Sequence, residues 1–140
     1  MIVGIVLLAL VLAGCGGTPA DTTVSDPPQS KVIEASGNQQ VDKLVADWKT
    51  VVSASMKEQL VKDPIEEKVY QSDASLEEID AFYKKLTEKS WVVSTRMPGI
   101  QNGVLLTGYD SGNTSLVIGA VDAKPLGGTG VIVYTAKGTK

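Results

Sequence analysis

The side chains able to do chemistry in this 140-residue chain are few: one cysteine (Cys15), no histidine, 13 Lys or Arg and 16 Asp or Glu. Without histidine there is no Ser-His or Cys-His nucleophile pair and no histidine-ligated metal site. No serine has a lysine three positions later, so the Ser-x-x-Lys pattern of serine-lysine acyl transfer is missing too. Carboxylate pairs remain as candidates for glycoside-type hydrolysis. The adjacent pairs Glu66/Glu67 and Glu77/Glu78 sit where a strand start and a helix start explain them, and Asp110 and Asp122 sit at strand ends. The stretch YDSGNTS (109–115) lacks the ligand spacing of a calcium loop. PLGGTG (125–130) has no following lysine and leads into a strand, so it does not make a phosphate cradle. Neither a catalytic constellation nor a cofactor motif is expected. A carboxylate-dependent hydrolase is the alternative that the acids leave open, and a purely structural protein is another.

Cys15 follows an apolar or small-residue run, Ile2 to Ala13. As a helix that run is roughly 18 Å long, too short for a bilayer core of about 30 Å but suited to a signal-peptide core. The first basic residue is Lys31, so the basic flank that usually precedes such a run is missing. Leu12-Ala13-Gly14-Cys15 resembles the lipobox of bacterial lipoproteins. The resemblance implies cleavage before Cys15 and acylation of its thiol, so that the protein is held at the cell membrane on its extracytoplasmic face. Two acyl chains anchor stably where one binds only marginally.

The elements divide accordingly: residues 1–14 as signal peptide, 15–38 as lipidated cysteine and flexible tether, 39–140 as one α+β domain. The tether is rich in Gly, Thr, Ser and Pro, although KVIEA (31–35) is compatible with a short strand. A formal net charge of −3 gives no reason to expect nucleic-acid binding. From residue 39, Val41, Leu44, Val45, Trp48, Val51, Val52 and Met56 fall on one face at a period of 3.6, predicting a helix capped by Ser36 or Asn38 and ended by Asp63-Pro64. Ser75-Leu76-Glu77-Glu78 is a capping box that opens a second helix with Leu76, Ile79, Phe82, Tyr83 and Leu86 on its apolar side. Segments 67–72, 91–96, 103–110, 114–122 and 130–136 read as strands, two of them joined by a short hairpin loop at 110–113. The order α-β-α-β-β-β-β predicts two helices on one face of a mainly antiparallel sheet of about five strands.

VYQSDASLEEIDAFYKKLTEKSW, with Tyr70, Ser75, Phe82, Tyr83, Leu86 and Trp91, and the later GYDSGNTSLVIGAVD resemble small envelope lipoproteins of bacteria. That resemblance implies fold and location and no chemistry. The expected role is therefore a membrane-tethered, non-catalytic binding or accessory domain whose partner is an envelope protein or a small ligand. Trp48 and Trp91 are the largest hydrophobes, read first as core and, if exposed, as partner anchors. Arg96, Met97 and Ile100, in the segment RMPGIQN (96–102), are the remaining candidates for partner contact, since loops on a rigid scaffold often carry binding.

Overall fold

The computed structural model describes residues 20–94 and 98–140. Cys15, the lipobox and the signal segment, together with Arg96 and Met97, lie outside the described residues.

Helix α1 spans Gln39–Glu58. The Asn38 side chain accepts from the backbone N–H groups of Gln40 and Val41 at 3.0 and 3.2 Å, satisfying donors the first turn leaves open. Val41, Val45, Trp48, Val52 and Met56 are buried as the periodicity predicts, whereas Val51 is left exposed at the margin of the stripe. The helix ends in a paired-carbonyl turn: Leu60 N–H donates to Lys57 O and Val61 N–H to Met56 O, each at 3.0 Å. Such turns place their first post-helical residue in the left-handed region, and Leu60 has φ 66°.

Helix α2 spans Leu76–Lys84 and passes into a 3-10 turn, Lys85–Glu88. Both bonds of its capping box form: Ser75 Oγ accepts from Glu78 N–H at 3.2 Å, and Ser75 N–H donates to Glu78 Oε2 at 2.7 Å. The bonds from Ser75 hold the exposed Glu78 carboxyl below the usual carboxylate range. Ser75→Ala is expected to cost about 1 kcal/mol in urea unfolding.

The strands are β1 Ser30–Val32, β2 Lys62–Ser72, β3 Val92–Val93, β4 Gly99–Gln101, β5 Val104–Ser111, β6 Thr114–Asp122 and β7 Val131–Thr139. They form one antiparallel sheet in the order β1-β2-β7-β6-β5, with β3 and β4 both pairing the outer side of β5. The α+β class and the antiparallel sheet agree with the expectation; the strand count rises from about five to seven. One added strand, β4, comes from a tight hairpin in which Asn102 and Gly103, both at positive φ, link Gln101 to Val104. Pro64, which cannot donate to a ladder, lies where the β2–β7 register shifts between Lys62 and Glu66.

The placement of the helices differs from the expected single face. In β6 and β7, Leu116, Ile118, Ala120, Val131 and Val133 pack with Ile79, Tyr83 and Leu86 around α2. The alternate residues Val117, Val121, Ile132, Tyr134 and Ala136 pack with Val45, Trp48, Val52 and Met56 of α1. Successive side chains of a strand point to opposite faces, so the helices cover opposite faces. Both helices run from the end of the sheet at Leu126 and Val131 toward the end at Ser111 and Gly138, so their C-termini point the same way.

Part of the segment read as tether also differs. Tyr70 donates to Asp26 at 2.7 Å, Ser72 to the Pro28 carbonyl at 2.6 Å, and Ile33 N–H to Val69 O at 2.9 Å. Val24 packs against the α2-side core. From Asp21 to Ile33 the chain forms a strap along β2 and the uncovered half of the α2 face. The reason is local: Ser72 and Tyr70 hold buried polar groups that need partners, and the strap supplies them.

Candidate functional site

On the other face, α1 lies over β6 and β7, because Gly119 lets the Trp48 ring settle on the strand: a Cβ there would come within 2.9 Å of Trp48 Cε3. That crossing leaves the α1 side of β5 only partly covered, with Val104 and Leu106 half-buried at the edge of the α1-side core. The result is an open groove of about 100 Å³ between the outer half of α1 and the β5–β6 pair. Val51, Val52, Met56, Leu106, Gly108 and Val117 give it an apolar wall and floor, and Ser55, Gln59, Ser94, Asp110 and Ser115 a polar rim. Asp110 is held in place, accepting from Ser115 Oγ at 2.5 Å and from Lys140 Nζ at 3.3 Å. The groove has room for one apolar side chain or a short aliphatic group, with hydroxyl and amide groups positioned to bond a polar backbone beside it.

Of the residues singled out in the sequence, Trp48 and Trp91 are core, 9% and 2% exposed. This agrees with their first reading as core, and the alternative of partner anchors, which required exposure, does not hold: Trp48 is spent on the sheet, Trp91 on the cluster under α2. Ile100 sits in β4, not at a loop tip, opposite Leu105 and 37% exposed. Among the described residues, Trp48, Trp91 and Ile100 therefore lie in three separate places and form no common site. The groove was missed because it follows from where α1 crosses the sheet; its traces in the sequence are Val51 at the stripe margin and the small Gly108 in β5.

The carboxylates considered for hydrolysis have other employment. Glu66 and Glu67 point to opposite faces of β2. Glu66 bridges Lys137 and Lys68 at 3.2 and 3.3 Å, and these lysines, Lys137 first, hold its carboxyl below the usual range. Glu67 accepts from the buried Tyr134 hydroxyl at 2.5 Å. Among the described residues no group of three or more Cys, Asp or Glu is placed to hold a metal, and no helix is long and apolar enough to cross a membrane. The 124–129 connection closes on itself: Gly127 takes φ 80°, and the Leu126 carbonyl accepts from the Asn38 side chain at 2.7 Å, tying the loop to the start of α1.

Compared with known proteins, the chain matches no family model, no curated sequence and no solved structure.

Proposed function

We propose that the chain is a membrane-tethered extracytoplasmic lipoprotein whose folded domain is a non-catalytic binding module, its recognition element the groove between α1 and β5. The address comes from Leu12-Ala13-Gly14-Cys15. The binding reading is carried by one observation: an apolar strip of sheet left open by α1 and rimmed with hydrogen-bonding groups. A site of that size and chemistry suits an apolar side chain presented by an envelope protein partner. Membrane attachment is through acyl chains on Cys15, and no cofactor enters the reading.

Intact-mass measurement on the native protein tests the address. The expected product starts at Cys15, lacks residues 1–14 and carries acyl mass, while Cys15→Ser keeps its leader and gains none; a native chain with an unmodified Cys15 overturns the address. Benzene serves as a probe of the groove. The methyl resonances of Val52, Met56, Leu106 and Val117 should shift saturably with it and those of Ile79 and Val133 on the opposite face should not. Equal response on both faces, or none, removes the groove as a site.

A further inference from the structure

We infer that the end of the sheet where the strap begins is a membrane-resting surface, with Leu60 as the side chain that enters the lipid. This rests on the anchor at Cys15. Three observations carry it.

The first is reach. Asp21 lies beside Lys89, its carboxylate 3.6 Å from the ammonium group, and Thr22 lines a cleft with Lys62, Pro64, Thr114, Thr139 and Lys140. Only six residue steps separate Asp21 from Cys15, and six residues span no more than about 22 Å even when fully extended. β7, which runs the length of the sheet, is nine residues long, roughly 30 Å from end to end. An anchor at Cys15 therefore brings the strap end toward the headgroups and leaves the opposite end distal.

The second observation is Leu60. It belongs to this end, two residues before Lys62, which pairs with Thr139. Leu60 is 78% exposed, the most exposed large hydrophobe described. It also occupies the left-handed position after α1 at φ 66°, where glycine is the usual residue because a Cβ is strained there. Its neighbours in the turn explain themselves: Val61 and Met56 pack together over Gly138. The Leu60 side chain contributes nothing to that packing. A large apolar side chain kept at a strained, solvent-facing position points to a contact outside the domain.

The third is polarity of the ends. α1 and α2 carry acids in their first turns (Asp42; Glu77, Glu78) at the distal end and lysines in their last turns (Lys57; Lys84) toward the strap end. Lys62, Lys89 and Lys140 lie at the strap end as well, where Lys89 is paired with Asp21 and Lys140 with Asp110, and where Glu58 and Glu88 close α1 and the 3-10 turn. Lysine stems can lie along a lipid surface with the ammonium groups among phosphates. The occupant is thus a bilayer surface, and the groove, whose rim includes Gln59 and Asp110 near this same end, opens close to it.

The test uses the full lipidated chain in vesicles of phosphatidylcholine mixed with phosphatidylglycerol. Acylation blocks Cys15, so Leu60→Cys and Lys43→Cys each offer one thiol for an environment-sensitive dye. Flotation is read first: a chain that does not float defeats the anchor and this inference with it. In a floating chain, quenching by spin-labelled lipid is expected to be about fivefold stronger at 60 than at 43; equal quenching overturns the surface and leaves the anchor standing. Leu60→Gly supplies the label-free control. It should raise the melting temperature by about 3 °C through relief of the left-handed strain. On vesicles it should also raise acetylation of Lys62 about threefold over the parent chain, with Lys43 unchanged. Unchanged Lys62 reactivity in a stabilised Leu60→Gly chain likewise overturns the surface.

Discussion

Trp48→Ala is expected to lower the unfolding free energy by about 3–5 kcal/mol in urea titration, the usual cost of truncating a large buried aromatic. A domain of this size has about 5–15 kcal/mol in all, so the variant should be marginal at 37 °C. The reason is the seating of the ring on Gly119, where Trp48 Cε3, Cδ2 and Cζ3 all lie within 3.1 Å of the position a Cβ would take. The indole thus fills the volume of a missing side chain and sets how close α1 comes to β6. The geometry predicts a specific coupling. Gly119→Val should cost about 1–3 kcal/mol in the parent chain, because the added methyls push against ring carbons that have no free space to enter. In the Trp48→Ala background the same valine enters the vacated volume, and the double variant should be more stable than the sum of the singles by more than about 1 kcal/mol. Simple additivity would mean that α1 is not seated through this contact, and the groove beside it would lose its stated cause.

That contact also shows what the residues alone disclose. Both helices could be read from local signals because each signal is local: a 3.6-residue apolar stripe, an Asn38 cap, a Ser75/Glu78 box. The two-residue turn at Gly112-Asn113 is of the same kind, with Gly112 at φ 55°. Which face each helix covers is a tertiary fact, yet it left a trace. Leu116-Val117-Ile118 and Val131-Ile132-Val133 are apolar at both parities, the pattern of strands buried on two sides. A sheet covered on one face would need alternation there. Asn102-Gly103 likewise signals a tight hairpin, and it makes a strand of residues inside the segment read as a loop. The strap was not legible in the same way. Its bonds join residues 44 apart, Asp26 to Tyr70 and Pro28 to Ser72, and a Pro/Ser/Asp-rich segment looks alike whether it is loose or held. Leu60 is the reverse case, plain in the sequence as a leucine but significant only once its φ and exposure are known.

Raising the pH should unfold the domain in one step, with its tyrosines ionising together. The chain has four: Tyr70, Tyr83, Tyr109 and Tyr134. All are buried, none more than 3% exposed. Burial is the main cause pushing each phenol above its usual range, reinforced for Tyr70 by the Asp26 carboxylate and for Tyr134 by Glu67. The sign follows from proton counting. Above about pH 10 the unfolded chain releases phenolic protons that the folded chain keeps, so stability is intact below that pH and falls as pH rises. Each tyrosine that keeps its proton removes about 1.4 kcal/mol per pH unit, so Tyr70, Tyr83 and Tyr134, pushed up furthest, together take about 4 kcal/mol per unit. Between about pH 10 and 12 the loss reaches the total stability of a typical domain. Absorbance at 295 nm should stay flat past pH 10 and then rise in one transition that coincides with loss of circular dichroism. Tyr83→Phe sharpens the test, because the Tyr83 hydroxyl is buried without a hydrogen-bond partner. Removing an unpaired buried hydroxyl should leave the fold as stable or more so at pH 7. With one strongly shifted phenol fewer, the alkaline midpoint should move to higher pH and the transition should become shallower. Gradual tyrosinate formation centred near pH 10, with the circular dichroism unchanged, would show that the phenols are open to water and that the strap and α2 on one face and α1 on the other do not seal the sheet as described.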